Sequence, residues 1–524
     1  MPVLPPSTRR LPEIERLVWV AALVFTVWAL LYRLGTIPDG CFHDEVSIGF
    51  NARSIWKTGL DQFGVRFPLY YQGIGDWKGP LPLYAVMLST ALLGNTPIAL
   101  RVPGLLFAAG MATLLWWSIR ALTGNRRLAR WLAVWSLLIP VIFFYARSGT
   151  AEPACFPFFA MAAIAAVLAF EQRPTKGRGV LAGALLGLGA YAYPAARLFM
   201  PLEAFTAVGC LLFHPPTRKV LWPMVAAGVV MALPMAFFIA HNPPALFTRL
   251  NGMSIFGTSP SRLAVTRLFL SNYVSHFGLD FLFRTGQKNH GHWHNIGTGF
   301  IALWMLVPLI AGLVVLIQER RRPFHRFLLL LLLLAPIPAS MTIDDVPHPN
   351  RFIHVVPILV LICAVGIASL LRKMNPSPVL MAALIGLGLY ENAAMVYQYQ
   401  TAFPRVFEQD NPGGWDRGMG RALRLAFSRR RSGEAMYLPG AFFDFDGMLI
   451  GFWGDLDPAS MRRSGPAGSG VRPVDQSGDP AALPAGTLWT TERAEPAPFP
   501  ADVVGTIERA WATREPLWTV YRKR

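Results

Sequence analysis

The sequence predicts an all-α polytopic membrane protein, with about eleven transmembrane helices plus juxtamembrane helices, ending in a small α+β domain. Three observations predict it. Of the 524 residues, 53% are hydrophobic and only 15% charged, and the mean hydropathy is +0.39, a composition suited to lipid rather than water. Eleven apolar segments approach the roughly 20 residues a helix needs to cross a bilayer. After residue 397 the composition shifts to a tail rich in Gly, Pro, Arg and Asp.

The apolar segments are 17–35, 99–119, 128–146, 153–170, 179–195, 198–213, 220–240, 298–317, 326–341, 352–371 and 378–397. A further apolar stretch, 81–94, is too short to span and suits an interfacial or re-entrant helix. Charge agrees. If 81–94 does not cross, the basic clusters at Arg9/Arg10/Arg16, Arg120–Arg130, Arg173/Lys176/Arg178, Arg218/Lys219, Arg320–Arg326 and Arg372/Lys373 all face one side. By the positive-inside rule that side is the cytoplasm, and the tail lies outside. The basic residues before the first apolar run lead to no small-residue cleavage site, so that run reads as an uncleaved helix.

The formal net charge is +18. The tail contributes almost none of it, with 16 basic and 15 acidic residues in 398–524. The excess therefore sits in the membrane part, where it implies anionic lipid and lipid-linked phosphate rather than nucleic acid. The four cysteines, Cys41, Cys155, Cys210 and Cys363, lack metal-ligand spacing and suggest no disulfide. No P-loop, no G-x-G-x-x-G after a strand and no H-E-x-x-H is present, which argues against an ATP-driven pump and a Rossmann-type nucleotide-sugar site.

Within the first external loop, Glu45–Lys57 reads as a short amphipathic helix in the interface plane, closed by a turn at Gly59–Asp61. In the tail, Arg417–Arg431 has helical periodicity. Strand-like runs follow at Ala435–Leu438, Thr487–Thr491, Val503–Ile507 and Leu517–Tyr521, and Ser464–Pro484 reads as loop. The expected domains are 1–397 in the membrane and 398–524 outside it.

The most informative stretch is HDEVSIGFNARSIWKTGLDQFGVRFPLYYQGIGDWKGPLPLY, residues 43–84. Adjacent carboxylates, Asp44 and Glu45, at a membrane surface are costly unless they bind or react. An acidic pair after the first helix, followed by a G-D-x-K-x-P-L turn, resembles the first external loop of bacterial protein-mannosyltransferase-like (family 39, aminoarabinose-transferase-like) enzymes of the GT-C fold. SHFGLDFLFRTG and the histidines after it resemble that family's large external loop. The resemblance covers roughly 35–300 and the DDVPHPNR loop. Gly79 stands where a Pro is common.

The resemblance implies an inverting glycosyltransferase of the cell envelope, in a bacterial inner membrane, with its active site outside the cytoplasm. Its donor would be a polyprenyl-phosphate sugar and its acceptor a hydroxyl of a protein, lipid or glycan. Asp44 would be the base that strips the acceptor's proton. Glu45 would position or tune it, and Glu152 would be a second acidic residue. A polyprenyl-phosphate leaving group needs cations, and Lys78, Arg147, Arg197, His348 and Arg351 stand at external helix ends that match the family's basic positions. Tyr193 stands beside Arg197 in an aromatic turn. His292 and His294 would hold donor or acceptor; with His290 they are weak metal candidates, and a divalent cation stays open. Against these readings, basic side chains at helix ends also snorkel to lipid phosphate, and tyrosines form interfacial belts. The rival function is a transporter or flippase of a lipid-linked sugar, disfavoured because the ionisable groups cluster at helix ends and no repeat is visible. A non-catalytic binding homologue is a further alternative.

Overall fold

The computed structural model describes residues 13–38, 40–74, 76–148, 151–243, 252–259, 261–286, 298–374, 378–401, 418–443, 447–474, 479–492, 495–508 and 516–524. Helices occupy every expected apolar segment: α1 (Glu13–Leu31), α2 (His43–Thr58), α3 (Pro80–Leu93), α4 (Pro97–Thr123), α5 (Arg126–Ser136), α6 (Pro140–Arg147), α7 (Ala151–Gln172), α8 (Lys176–Gly189) and α9 (Ala196–Leu212), then Trp222–His241, Leu306–Gln318, Pro323–Leu334, Val355–Met374 and Pro378–Thr401. Among the described residues, six helical segments are long and apolar enough to cross a membrane, or seven if the α5–α6 pair is one span. The expected eleven are therefore not all full-length spans: α8 and α9 have 14 and 17 residues. The expected single helix 128–146 is broken, with α5 and α6 meeting at 55°. Pro140 opens α6 there and lacks the N–H that would continue the ladder. Helix α3 has 14 residues, about 21 Å at 1.5 Å each, short of the hydrocarbon core.

The chain packs as two compact units, each drawn from separate stretches. The first takes its residues from Met1–Tyr32, Gly104–Arg147 and Glu152–Tyr399. Its helices meet through glycines. A Cβ on Gly183 would lie 1.9 Å from the Met224 carbonyl oxygen, and one on Gly312 2.0 Å from that of Ile362. Small residues thus bring α8 against Trp222–His241, and Leu306–Gln318 against Val355–Met374, as in membrane helix packing generally.

The second unit takes its residues from Arg33–Pro103, Ser148–Ala151 and Gln400–Arg524. The first external loop and the tail, expected on either side of a break at 397, share this unit. Its five-stranded sheet has the order β4-β3-β5-β7-β6, from β3 (Met436–Leu438), β4 (Val471–Pro473), β5 (Leu488–Glu492), β6 (Ala501–Glu508) and β7 (Pro516–Lys523). β3 runs parallel to β4 and β5; β7 is antiparallel to β5 and β6. Tyr437, Trp489 and Phe499 pack one face. The four expected strands and the helix (Met419–Arg429) are present; β4 and the helix Pro458–Ser464 fall partly or wholly in the stretch expected to be loop.

Helix α2 departs from expectation. Eleven consecutive residues, Glu45 to Ile55, are buried, so it is not an interfacial helix with one wet face. Its polar side chains find partners inside the unit: Asn51 Nδ2 donates to Gln62 Oε1 (3.3 Å), and Gln62 N–H donates to Asn51 Oδ1 (3.0 Å). Gly59 ends the helix in the left-handed region, φ 73°, where glycine has no Cβ penalty.

Candidate functional site

In the second unit, the start of α2 orients the acidic pair in opposite directions. Phe42, in extended conformation, donates its N–H to Glu45 Oε2 at 2.8 Å. Glu45 is fully buried, and its Oε1 accepts from Arg101 Nε at 3.2 Å. The remaining Arg101 donors reach the carbonyls of Leu34 (2.7 Å), Pro38 (3.3 Å) and Gly40 (2.6 Å). One guanidinium thus ties the strand of chain before α2 to the helix's first turn. Burial pushes the Glu45 carboxyl up from its ordinary value, and the charge of Arg101 and the Phe42 N–H oppose it.

Asp44 faces the other way. Its side chain is 21% exposed, and Oδ1 lies 3.1 Å from Lys78 Nζ. The same ammonium lies 3.6 Å from Asp76 Oδ1. Lys78 is delivered by a two-strand ribbon, β1 (Tyr71–Gln72) against β2 (Trp77–Lys78), with the register Tyr71↔Lys78. A Cβ on Gly73 would lie 2.7 Å from the Lys78 Cε, so this glycine leaves the room through which the lysine stem passes. Lys78 is 2% exposed. Expected at donor phosphate, it lies here beside two carboxylates. Asp44 also gains from its place at the positive end of α2.

The first unit holds six of the other expected residues. Glu152 is buried in the first turn of α7. Arg147, fully buried at the end of α6, donates to the carbonyls of Ala29, Leu30 and Tyr32 and lies over the rings of Phe143 and Tyr399. Its fork caps carbonyls at the end of α1. Tyr193 is buried, its ring stacked with Phe156 at 5.9 Å between centroids. Arg197 is half-buried at the start of α9.

Arg351 forms a two-pronged pair with Asp344: Nη1 to Oδ1 at 2.8 Å and Nη2 to Oδ2 at 3.2 Å. Nη1 also donates to Thr342 Oγ1 at 2.6 Å. This is the bidentate geometry that makes arginine a strong carboxylate partner. His348 donates its N–H to His276 Nε2 (3.2 Å), so His276 Nδ1 carries the proton and donates to the Asn272 carbonyl (2.7 Å). Burial holds His276 neutral, its pKa pushed down to about 4.

Among the described residues, no group of three or more His, Cys, Asp or Glu is placed to hold a metal ion. Beside Asp44, the single ammonium of Lys78 stands between two carboxylates, Asp44 and Asp76. His290, His292 and His294 lie outside the described residues. Sequence reasoning missed Arg101 and His276. The signals were available: Arg101 is the sole charge in the apolar segment 99–119, and His276 is the histidine of SHF.

The family model for dolichyl-phosphate-mannose-protein mannosyltransferase matches residues 77–241, under a third of the chain. No curated protein matches in sequence. The crystal structure of ArnT from Cupriavidus metallidurans in the apo state aligns over 97% of this chain and 98% of its own, at 12% identity and a TM-score of 0.59. The chain is a helical membrane protein with the GT-C fold of ArnT. ArnT bound to undecaprenyl phosphate aligns over 96% of this GT-C protein and 98% of its own chain, at 12% identity and a TM-score of 0.56. The Archaeoglobus fulgidus oligosaccharyltransferase tethered with an acceptor peptide aligns over 85% of this chain and 63% of its own, at 13% identity and 0.53. At these identities the likeness is one of fold, and the chemistry of this chain must be argued from its own side chains.

Proposed function

We propose that this GT-C protein is an inverting transferase that moves a sugar from a polyprenyl-phosphate donor to a hydroxyl of a protein, lipid or glycan on the extracytoplasmic side of a bacterial inner membrane. The observation that carries the proposal is the split acidic pair: Glu45 is locked inward, while Asp44 is left partly exposed and held by a buried lysine. A general base needs an oriented and reachable carboxylate, and Asp44, partly exposed with Oδ1 3.1 Å from Lys78 Nζ, offers both. In the step, Asp44 takes the acceptor proton as the hydroxyl oxygen bonds to the anomeric carbon. The bond to phosphate breaks, polyprenyl phosphate leaves with the electron pair, and configuration inverts. Lys78 holds Asp44 in place. Lys78, Arg147, Tyr193, Arg197, His348 and Arg351 are the candidates for donor phosphate, each to be tested alone. The crystallised ArnT complex with undecaprenyl phosphate supports a lipid-phosphate donor.

The test is transfer by the purified protein in lipid nanodiscs, supplied with polyprenyl-phosphate sugars, alongside mass spectrometry of its co-purifying lipids. Wild type transfers sugar, and Asp44→Asn stays folded but loses about 10²–10⁴-fold in rate. Near-normal transfer by Asp44→Asn removes Asp44 from the mechanism. A donor that crosses the bilayer without reacting favours a flippase.

A further inference from the structure

The second unit joins α2 to the tail by a reciprocal exchange of arginines. From α2, buried Arg53 sends Nη1 to the carbonyls of Gly451 (3.3 Å) and Leu456 (2.8 Å), and Nη2 to that of Asp455 (2.9 Å). The same guanidinium pairs with the Asp455 carboxylate at 2.5 Å. From the tail, Arg462 sends Nη1 to Ser54 Oγ (2.8 Å) and the Asp61 carbonyl (3.3 Å), and Nη2 to Thr58 Oγ1 (3.3 Å). Asn95, just past α3, donates to Asp455 Oδ1 at 2.8 Å. The backbones also interlock: a Cβ on Gly49 would lie 2.8 Å from the Phe452 ring, and one on Gly451 2.5 Å from that of Phe50.

We propose that residues 447–464 form a clamp that fixes α2, and with it Asp44, and that Arg53 and Arg462 are positioning residues for the transfer. The proposal rests on the reading of Asp44 as base. The physical reason lies in the helix. Asp44 stands on its first turn and Arg53 nine residues later, about 13 Å along a rigid rod. Glu45–Arg101 holds the near end and the tail holds the far end. Without the far anchor the rod rocks about Glu45–Arg101 and turns the Asp44 side chain with it, and a shift of about 1 Å in a reacting group costs on the order of a hundredfold in rate. Lysine at 53 keeps the charge but has no planar fork to reach three carbonyls.

The experiment uses full-length protein in nanodiscs with Arg53→Met, Arg462→Met and Arg53→Lys. It reads transfer kinetics and amide hydrogen exchange together. Both methionine variants are expected to lower kcat by about ten- to a hundredfold with donor KM little changed. They speed exchange across His43–Thr58, while β5 and β7 keep their protection. Arg53→Lys recovers part of the rate. Unchanged exchange in α2, or loosened α2 with full kcat, overturns the clamp. Equal loss of protection in α2 and in the sheet also overturns it, since that is general destabilisation. Should the methionine variants not fold, Asn95→Ala and Arg53→Lys carry the same pair of readouts. If the wild type transfers no sugar, the reading of Asp44 fails by itself, and the exchange data still decide whether the tail holds α2.

Discussion

The Asp44 loop and the Arg351 loop each set a carboxylate against a cation, and they leave different groups available. In the first, the cation is buried and the acid reaches solvent: Lys78 is 2% exposed and Asp44 21%. In the second, the fork of Arg351 closes on both oxygens of Asp344, and its spare donor goes to Thr342. A buried point charge steadies an acid and leaves an oxygen reachable. A bidentate pair satisfies both partners. Similar ingredients thus yield a candidate base in one loop and a brace in the other. The loops also differ in what supports them, a Lys-bearing ribbon in one and a neutral histidine in the other.

The sharpest way to break this comparison lies within the acidic pair. Glu45→Gln leaves Arg101 buried beside an uncharged partner, a loss worth about 3–5 kcal/mol when a buried pair is broken. Its thermal midpoint should fall far below that of Asp44→Asn, while Asp44→Asn loses far more rate per folded molecule. Equal melting losses in both would remove the distinction between an inward brace and an outward base.

Next in size is Lys78→Met against Arg351→Met. Removing Lys78 leaves Asp44 and Asp76 without the ammonium between them, so the acidic limb of the rate–pH profile should move up. Arg351→Met should lower the melting temperature and leave that limb in place. A shifted limb in Arg351→Met would make the second loop part of the chemistry.

A smaller effect concerns His276. Its folded pKa, about 4, lies below the ordinary 6.5, so the unfolded chain binds the proton more readily. The stability it contributes is complete above about pH 6.5 and is lost as pH falls from there towards 4. Thermal melts across that range should be flatter for His276→Gln than for wild type. Parallel curves would separate the support of His348 from this proton.

The smallest expected change is Asp455→Asn. Its carboxylate is 70% exposed, and exposed ion pairs are worth under about 1 kcal/mol. Chemical denaturation should barely register it, because the carbonyl bonds of Arg53 survive. A loss as large as that of Arg53→Met would place the strength of the join in the ion pair.

Much of the fold is legible in local sequence. Apolar segments became helices, the 14-residue stretch became the short α3, and four tail strands stand near their expected places. Hydropathy and alternation are local properties, and burial in lipid or against one sheet face rewards them directly. Other features are not local. Pro140 breaks what reads as one span, and β4 forms inside a Gly/Ser/Pro stretch because β3 offers it a parallel edge.

The candidate site divides along the same line. By itself the sequence determined a polytopic membrane chain, the adjacency of Asp44 and Glu45, and the Gly-Asp-x-Lys turn, all set by composition and short spacing. Only the tertiary structure decided which acid faces in. That choice depends on Arg101, 56 residues from Glu45, while the far end of α2 meets Arg462, some 400 residues from Ser54 and Thr58. A guanidinium satisfies whichever carbonyls and carboxylates folding brings within about 3 Å, and no pattern along the chain records that distance.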